Sequence, residues 1–219
     1  MKKPFDLNAD YQPEHFEFDK VYDQHIKDII ALYPQGRQQS AVMPLLDLAQ
    51  RQVAQEGAAA NPPYGGWIPR AAMDHIADVL DMHKVKVYEV ASFYSMYNTA
   101  PVGQYLVQFC TTTPCWLCGS GDIVNAAKDH LGVGMGETTP DGKFSLMEVE
   151  CLGACVNAPM VQINDDYFED LTPENMRELL SILAEDMKPT IGSQTGRKAS
   201  MSAAGPTTLK KLAKKAKVV

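Results

Sequence analysis

Residues 110–123 read CTTTPCWLCGSGDI and residues 148–165 read EVECLGACVNAPMVQIND, and these two blocks hold all five cysteines of the 219-residue chain. Cysteines that served only as small apolar core residues would be scattered along the sequence. Five is also too few for a secreted disulfide scaffold, and an odd number leaves one thiol unpaired in any disulfide scheme. The clustering therefore indicates a site built from thiols in a reducing compartment.

The residues around the two blocks have the patterns of alternating strands and helices. Tyr105–Phe109 is rich in β-prone residues, Gly119–Leu131 has helical spacing, and Thr172-Pro173 is typical of a helix start, because threonine caps the helix and proline fits its first turn. Further strands are predicted at Phe144–Val149, Met160–Ile163 and Tyr167–Phe168. The pattern predicts a compact α/β domain over residues 99–188.

The part of the chain before residue 99 has the periodicity of helices. Apolar residues recur three or four positions apart in four segments, at residues 19–33, 40–55, 68–80 and 84–96. These segments predict an N-terminal helical bundle over residues 1–98. Together with the α/β domain, they predict a protein of the α+β class.

Charge is divided unevenly along the sequence. Residues 189–219 contain seven basic and no acidic residues, whereas residues 1–188 contain 13 basic and 27 acidic residues, a net charge of −14. Large apolar residues are scarce before Leu209, so the tail is predicted to be a basic extended arm, with a basic helix possible after that point. An acidic body excludes nucleic acid as a partner, and no apolar run is long enough for a membrane span.

Three kinds of thiol chemistry fit the cysteine blocks. Four thiolates bind either zinc or an iron–sulfur cluster, and the pair Cys115 and Cys118 has the spacing for thiol–disulfide exchange. Glycine and hydroxyl residues near the cysteines leave backbone N–H groups free to point at sulfur, which an anionic cluster requires in an apolar pocket. The surroundings therefore favour an iron–sulfur cluster over zinc.

Spacing alone leaves the set of ligands open. Cys110, Cys115, Cys118 and Cys151 match the spacing of plant-type ferredoxins and leave Cys155 unused. The alternative set omits Cys118. It combines Cys110 and Cys115, with the spacing C-x4-C, and Cys151 and Cys155, with the spacing C-x3-C. The spacing of the cysteines does not decide between the two sets.

The two blocks closely resemble the 24 kDa-type subunit of respiratory complex I, the proton-pumping NADH:ubiquinone oxidoreductase. GRQQSAVMPLLDLAQ at 36–50, GWIP at 66–69 and EVASFYSMYNTAPVG at 89–103 are also similar to that family, so the resemblance covers residues 16–200. It implies a helical bundle followed by a thioredoxin-like domain that holds one [2Fe–2S] cluster.

The family pattern implies that the cluster ligands are Cys110, Cys115, Cys151 and Cys155. Cys118 is then an additional thiol, and Trp116 and Leu117 are expected to pack over the cluster. No catalytic residue is assigned, because the chain is expected to contribute electron transfer to an enzyme whose complete active site it does not contain.

The resemblance also implies partners. The family's cluster lies near the FMN of an adjacent flavin subunit, which binds NADH, and exchanges one electron with that FMN. A neighbouring iron–sulfur subunit is the second expected partner. The expected location is the peripheral arm of the complex, on the matrix side of the mitochondrial inner membrane or on the cytoplasmic side of a bacterial one.

The chain has no phosphate-binding loop of its own. Gly132-Val133-Gly134-Met135-Gly136 has neither the G-x-G-x-x-G spacing nor the strand-to-helix context of a nucleotide site, so FMN and NADH are expected on the partner only. Two alternatives remain at this point. One is a diaphorase-module subunit of an NAD-linked hydrogenase or formate dehydrogenase, and the other is an interaction module stapled by zinc.

Overall fold

Helices and a sheet are divided between two units in the computed structural model, which describes residues 6–202, 204–205 and 208–215. The first unit comprises the chain up to Leu106 together with residues 136–145, and the second comprises residues 107–135 and the chain from Leu146 onward. The presence of both helices and a sheet confirms the mixed class predicted from the sequence.

The first unit contains the helices predicted before residue 99. They are α1 (Asp23–Ala31), α2 (Val42–Ala58), α3 (Arg70–Val79) and α4 (Lys84–Phe93), with 3-10 turns at Lys20–Tyr22 and Gln38–Ala41 before the first two. Each observed helix lies within or overlaps its predicted segment. The apolar period therefore located these helices correctly, while their ends differ by a few residues.

A single buried core joins these four helices. Leu45 and Leu46 of α2, Ile76 of α3 and Val87 of α4 are completely buried within it. Burying side chains of this size contributes about 1.5–3 kcal/mol each relative to leaving them in water. The core also takes in Tyr97, whose hydroxyl donates to the Met43 carbonyl at 2.9 Å, so the polar end of the ring has a partner.

Residues 136–145 belong to the first unit although they follow the first cysteine block. The backbone N–H of Gly103 donates to Ser145 Oγ at 2.7 Å, and that of Tyr105 donates to the Lys143 carbonyl at 2.7 Å. A Cβ at Gly103 would lie 2.6 Å from the carbonyl carbon of Phe144, so only glycine allows this close approach. Residues 136–145 therefore return to the first unit after the first cysteine block.

The sheet contains β1 (Tyr105–Cys110), β2 (Phe144–Val149), β3 (Val161–Ile163), β4 (Asp166–Glu169) and β5 (Gly192–Ser193), in the order β2-β1-β3-β4-β5. β3 is antiparallel to both β1 and β4, with Val107 opposite Ile163 and Phe109 opposite Val161. In an antiparallel pair the end of one strand lies beside the start of the other. The register therefore brings Cys110 close to the start of β3.

Helices α5 (Thr113–Leu117) and α6 (Ser120–Leu131) lie between β1 and β2 in the sequence, and α7 (Pro173–Ala184) lies between β4 and β5. α6 packs against α7. Thr172 caps α7 as predicted, since its hydroxyl accepts from the backbone N–H of Asn175 while the Asn175 side chain accepts from the backbone N–H of Thr172.

Two residues of the tail pair with the sheet. Gly192 and Ser193 form β5 and pair in parallel with Phe168 and Glu169 of β4. A strand needs only backbone hydrogen bonds, so the scarcity of apolar residues did not prevent it. Helix α8 (Lys210–Lys215) lies inside the predicted basic helix, whose residues 216–219 are outside the described part of the chain. Among the residues that the structure describes, no helix is both long and apolar enough to cross a membrane.

Candidate metal centre

Four of the five cysteines lie at or soon after the ends of strands β1 and β2. Cys110 is the last residue of β1, and Cys115 lies one helical turn later in α5. Cys151 follows the end of β2, and Cys155 begins the 3-10 turn Cys155–Asn157. The positions of the strand ends therefore bring the two blocks of the sequence together.

The sulfur atoms are arranged as two pairs. Cys151 Sγ and Cys155 Sγ are 3.4 Å apart, and the thiols of Cys110 and Cys115 are hydrogen-bonded to each other. The hydrogen bond with Cys151 and burial raise the pKa of Cys155 most, and the charge on Cys110 raises that pKa further. Cys118 directly follows α5 and is exposed, outside both pairs.

Burial differs between the two pairs. Cys110 and Cys115 are buried and form a small apolar cluster with Met160. Cys155 is half-buried and Cys151 is exposed. Partly buried side chains pack around the apolar cluster: Leu152, Ala154, Ala158 and Tyr167. The site therefore has one pair of thiols inside the protein and one pair at its surface.

Hydrogen-bond donors surround Cys110. Burial alone raises the pKa of its thiol, but bonds from the hydroxyl and backbone N–H of Thr112, from the backbone N–H of Leu152 and from the Cys115 thiol outweigh burial, so the pKa lies below its ordinary value. The Thr112 Oγ1 to Cys110 Sγ distance is 3.3 Å. This environment favours a thiolate at Cys110, which is the form that binds metal.

The pKa values of the Cys115 and Cys155 thiols are raised above their ordinary value. Burial, followed by the hydrogen bond and negative charge of Cys110, raises the pKa of Cys115 to about 12, although the backbone N–H of Met160 donates to its sulfur. The hydrogen bond with Cys151, then burial and neighbouring negative charge, raises the pKa of Cys155. Several thiolates this close together require a cation to neutralise them.

Contacts outside the thiols hold the loops in place. Thr111 Oγ1 donates to Glu148 Oε1 at 2.6 Å, which connects the two cysteine blocks. The hydroxyl of Tyr167 donates to the backbone carbonyl of Leu152 at 2.7 Å. Asn157 donates its side-chain Nδ2 to the carbonyl of Ala199 at 2.9 Å. Sequence reasoning missed Tyr167 and Asn157, because a side chain that bonds a backbone carbonyl leaves no recurring pattern.

The donor set fits a [2Fe–2S] cluster. Such a cluster takes four thiolates, and hydrogen bonds to the sulfurs tune its potential. Here the thiols form two pairs, and backbone N–H groups of Thr112, Leu152 and Met160 point at sulfur. Within the described residues, no three or more His, Cys, Asp or Glu side chains form a group that could hold a metal ion.

Trp116 and Leu117, which the resemblance leads us to expect over the cluster, have exposed side chains. They are 66% and 70% exposed, respectively. The helix that carries them has only five residues, and its inward side is occupied by Cys115. The two large side chains therefore form part of the surface next to the site.

Comparison with known proteins agrees with this geometry. The family profile described as "Thioredoxin-like [2Fe-2S] ferredoxin" matches residues 26–184. The chain is 50% identical over 198 residues to NADH dehydrogenase [ubiquinone] flavoprotein 2, mitochondrial, of Dictyostelium discoideum, covering 90% of this chain and 76% of that protein. It is 52% identical over 172 residues to a subunit of the NADH-quinone oxidoreductase of Rickettsia bellii, covering 78% of this chain and 96% of the Rickettsia protein.

A solved structure has a similar fold. The crystal structure of an NAD+-reducing [NiFe]-hydrogenase in the air-oxidized state aligns with a TM-score of 0.52 and 17% identity, over 65% of this chain and 23% of the hydrogenase chain. At this identity the likeness concerns the fold alone. The match of the family profile across most of the chain, supported by relatives at half identity, means that this protein belongs to the thioredoxin-like [2Fe–2S] ferredoxin family.

Proposed function

We propose that the chain is an electron-transfer subunit of an NADH:quinone oxidoreductase. The observation that carries this proposal is the pairing of four cysteine thiols from two distant blocks of the sequence, in a chain half identical to subunits of that enzyme. The chain takes part in an oxidoreductase complex without holding a complete active site.

The proposed ligands are Cys110, Cys115, Cys151 and Cys155. The two pairs described above support this set, and the exposed position of Cys118 at the end of α5 supports leaving it out. The plant-type alternative would exchange Cys155 for Cys118, although the sulfur of Cys155 is 3.4 Å from that of Cys151.

A bound [2Fe–2S] cluster would supply a carrier for one electron at a time. The protein's part is to set how readily that electron is accepted. Backbone N–H groups and the Thr112 hydroxyl directed at Cys110 and Cys115 stabilise added negative charge. The net negative charge of residues 1–188 disfavours the added electron, so we expect a low midpoint potential.

The flavin that supplies electrons belongs to a partner subunit in this proposal. The names of the relatives support association with a flavoprotein. Exposed residues beside the thiols support an edge where that partner docks: Cys151 itself and the apolar side chains of Trp116, Leu117 and Val156. Electron transfer falls steeply with distance, so a surface pair of ligands suits exchange across an interface.

The finer assignments belong to the same proposal. We divide the chain into a helical bundle at 1–98, a thioredoxin-like [2Fe–2S] domain at 99–188 and a basic tail at 189–219. A second contact with a neighbouring iron–sulfur subunit, and a position in the peripheral arm on the matrix or cytoplasmic side, complete the proposed setting.

Metal analysis and spectroscopy test this function. The purified protein should contain two irons and two acid-labile sulfides per chain and give an EPR signal when reduced. A colourless, EPR-silent protein with stoichiometric zinc would refute the proposal in favour of the zinc-stapled module. Insulin reduction by the isolated chain, lost in Cys118→Ser, would instead support a thioredoxin-type oxidoreductase.

A second candidate is a subunit of the NAD-reducing module of a hydrogenase. The fold likeness to the NAD+-reducing [NiFe]-hydrogenase favours it, although this chain spans less than a quarter of that protein chain. Identifying the subunits that copurify with the native protein distinguishes the two. Quinone-reductase subunits support the first proposal, and hydrogenase subunits support the second.

A further inference from the structure

Tyr167 is connected to the thiol site by hydrogen bonds through the backbone of Leu152. Its hydroxyl donates to the carbonyl oxygen of Leu152 at 2.7 Å, and Leu152 donates its own backbone N–H to the sulfur of Cys110. The partly buried side chains of Tyr167 and Leu152 also pack against the cluster that contains Cys110 and Cys115. One side chain on the sheet is therefore connected to a buried ligand on another strand.

The loop that carries Leu152 depends on such contacts for its shape. It runs from Cys151 to Ala154 without regular secondary structure, and Gly153 within it has a φ of +87°. Loop backbone without ladder hydrogen bonds is more mobile than a strand. Tyr167 lies in β4, where its backbone pairs with Gln162 of β3. Its hydroxyl is therefore held by a rigid element.

We propose that Tyr167 is a positioning residue for the cluster. Its hydroxyl holds the carbonyl of Leu152 and thereby keeps the Leu152 N–H directed at Cys110 Sγ. This inference rests on the proposed function, since it requires Cys110 to be a cluster ligand. A hydrogen bond to a ligand sulfur stabilises the more negative, reduced state and raises the midpoint potential.

The test compares two tyrosine-to-phenylalanine variants of the full chain. Tyr167→Phe removes the hydroxyl at the site. Tyr97→Phe is the matched control, because the Tyr97 hydroxyl makes an equivalent bond to the backbone carbonyl of Met43 at 2.9 Å in the first unit. Iron and sulfide content, the EPR g values and the midpoint potential are measured for the cluster-loaded proteins.

Tyr167→Phe should keep its iron and sulfide, shift its midpoint potential to a more negative value and alter its g values. Tyr97→Phe should match the wild type in all three measurements. A cluster-loaded Tyr167→Phe with the potential and g values of the wild type would overturn the inference. An equal shift in both variants would also overturn it, because a general loosening of the protein would then explain the change.

If Tyr167→Phe loses its cluster, amide hydrogen exchange in the cluster-free proteins provides the second test. The Leu152 amide should exchange faster in Tyr167→Phe than in the wild type or Tyr97→Phe, and an unchanged rate would overturn the inference. Failure of the underlying function has a different signature. If the wild-type protein contains no iron and sulfide, both proposals are refuted. If the wild type holds the cluster and Tyr167→Phe has the same midpoint potential, only the role of Tyr167 is refuted.

Discussion

Arg197 and Asp170 form an ion pair in which the two side chains keep only 12% and 10% of their surface exposed. Ser193 Oγ donates to the same carboxylate at 2.6 Å, and the Arg197 backbone N–H donates to Ser193 Oγ at 3.1 Å. The backbone N–H of Asp170 donates to the Asn157 carbonyl at 2.8 Å. The basic tail is thereby fastened to the turn that begins at Cys155.

Because of the ion pair between Arg197 and Asp170, we expect the folded protein to lose stability in acid. Burial raises the pKa of Asp170, but hydrogen bonds and charge from Arg197, with Ser193, outweigh burial and leave the pKa below its usual value. A carboxyl with a lower pKa in the folded state stabilises the protein above its unfolded pKa of about 3.9, and this contribution is lost as the pH falls through the folded pKa. Asp170→Asn should lower the free energy of unfolding at pH 7 by about 3 kcal/mol.

Urea unfolding at pH 7 and below about pH 4 measures this effect. The difference between Asp170→Asn and wild type should shrink in acid. Asp47→Asn is the control, because Asp47 pairs with Arg51 on an exposed helix face and should contribute less than about 1 kcal/mol. A difference at Asp170 that stays constant with pH would contradict the prediction.

Cys118→Ser should leave the cluster intact. The Cys118 side chain is exposed at the end of α5, whereas Cys151 is 3.4 Å from its partner sulfur. We expect wild-type iron, sulfide and EPR spectra from Cys118→Ser, and loss or a marked change of the cluster in the matched variant Cys151→Ser. Cluster loss in Cys118→Ser with retention in a Cys155→Ser variant would instead favour the plant-type ligand set.

Thr112→Val should make the cluster harder to reduce. The substitution removes the hydroxyl that lies 3.3 Å from Cys110 Sγ but keeps the backbone N–H that also bonds this sulfur. The midpoint potential should therefore become more negative, and Thr112→Ser should restore it because serine supplies the same hydroxyl. Identical potentials for the valine and serine variants would refute this role of the hydroxyl.

Two glycine substitutions should change stability in opposite directions. A Cβ at Gly103 would lie 2.6 Å and 2.8 Å from backbone atoms of Phe144 and Ser145, so Gly103→Ala should destabilise the protein by about 1–3 kcal/mol. Gly121 lies in α6 with no such neighbour within 4 Å, so Gly121→Ala should add up to about 1 kcal/mol. Thermal unfolding measures both, and a melting temperature of Gly103→Ala at or above that of wild type would contradict the first.

Local patterns identified most of the elements. Thr172 and Pro173 predicted the start of α7 because capping depends on neighbouring residues alone, and the β-prone run at 105–109 predicted β1. α5 was missed because its five residues, Thr113–Leu117, are too few to display a helical period. β5 was missed because its pairing with β4 depends on distant backbone groups rather than on its own side chains.

The cysteines of the candidate site stand out in the sequence, whereas the contacts that support their loops do not. The cysteines form a visible cluster in the sequence, and the hydroxyl residues beside them indicated donors such as Thr112. The contacts of Tyr167 and Asn157 depend on strand register and on the returning tail, which residue spacing does not encode. The exposure of Trp116 likewise depends on the direction in which α5 faces.

The contact between Asn157 and Ala199 joins residues 42 positions apart and sets an order of events during biosynthesis. The ribosome makes both cysteine blocks well before it makes the segment that secures the second of them. A nascent chain halted between these points would hold Cys155 on a turn that lacks its hydrogen bond to Ala199. This contact can therefore form only after the polypeptide has been extended past Ala199, so the turn at Cys155 gains its last support near the end of translation.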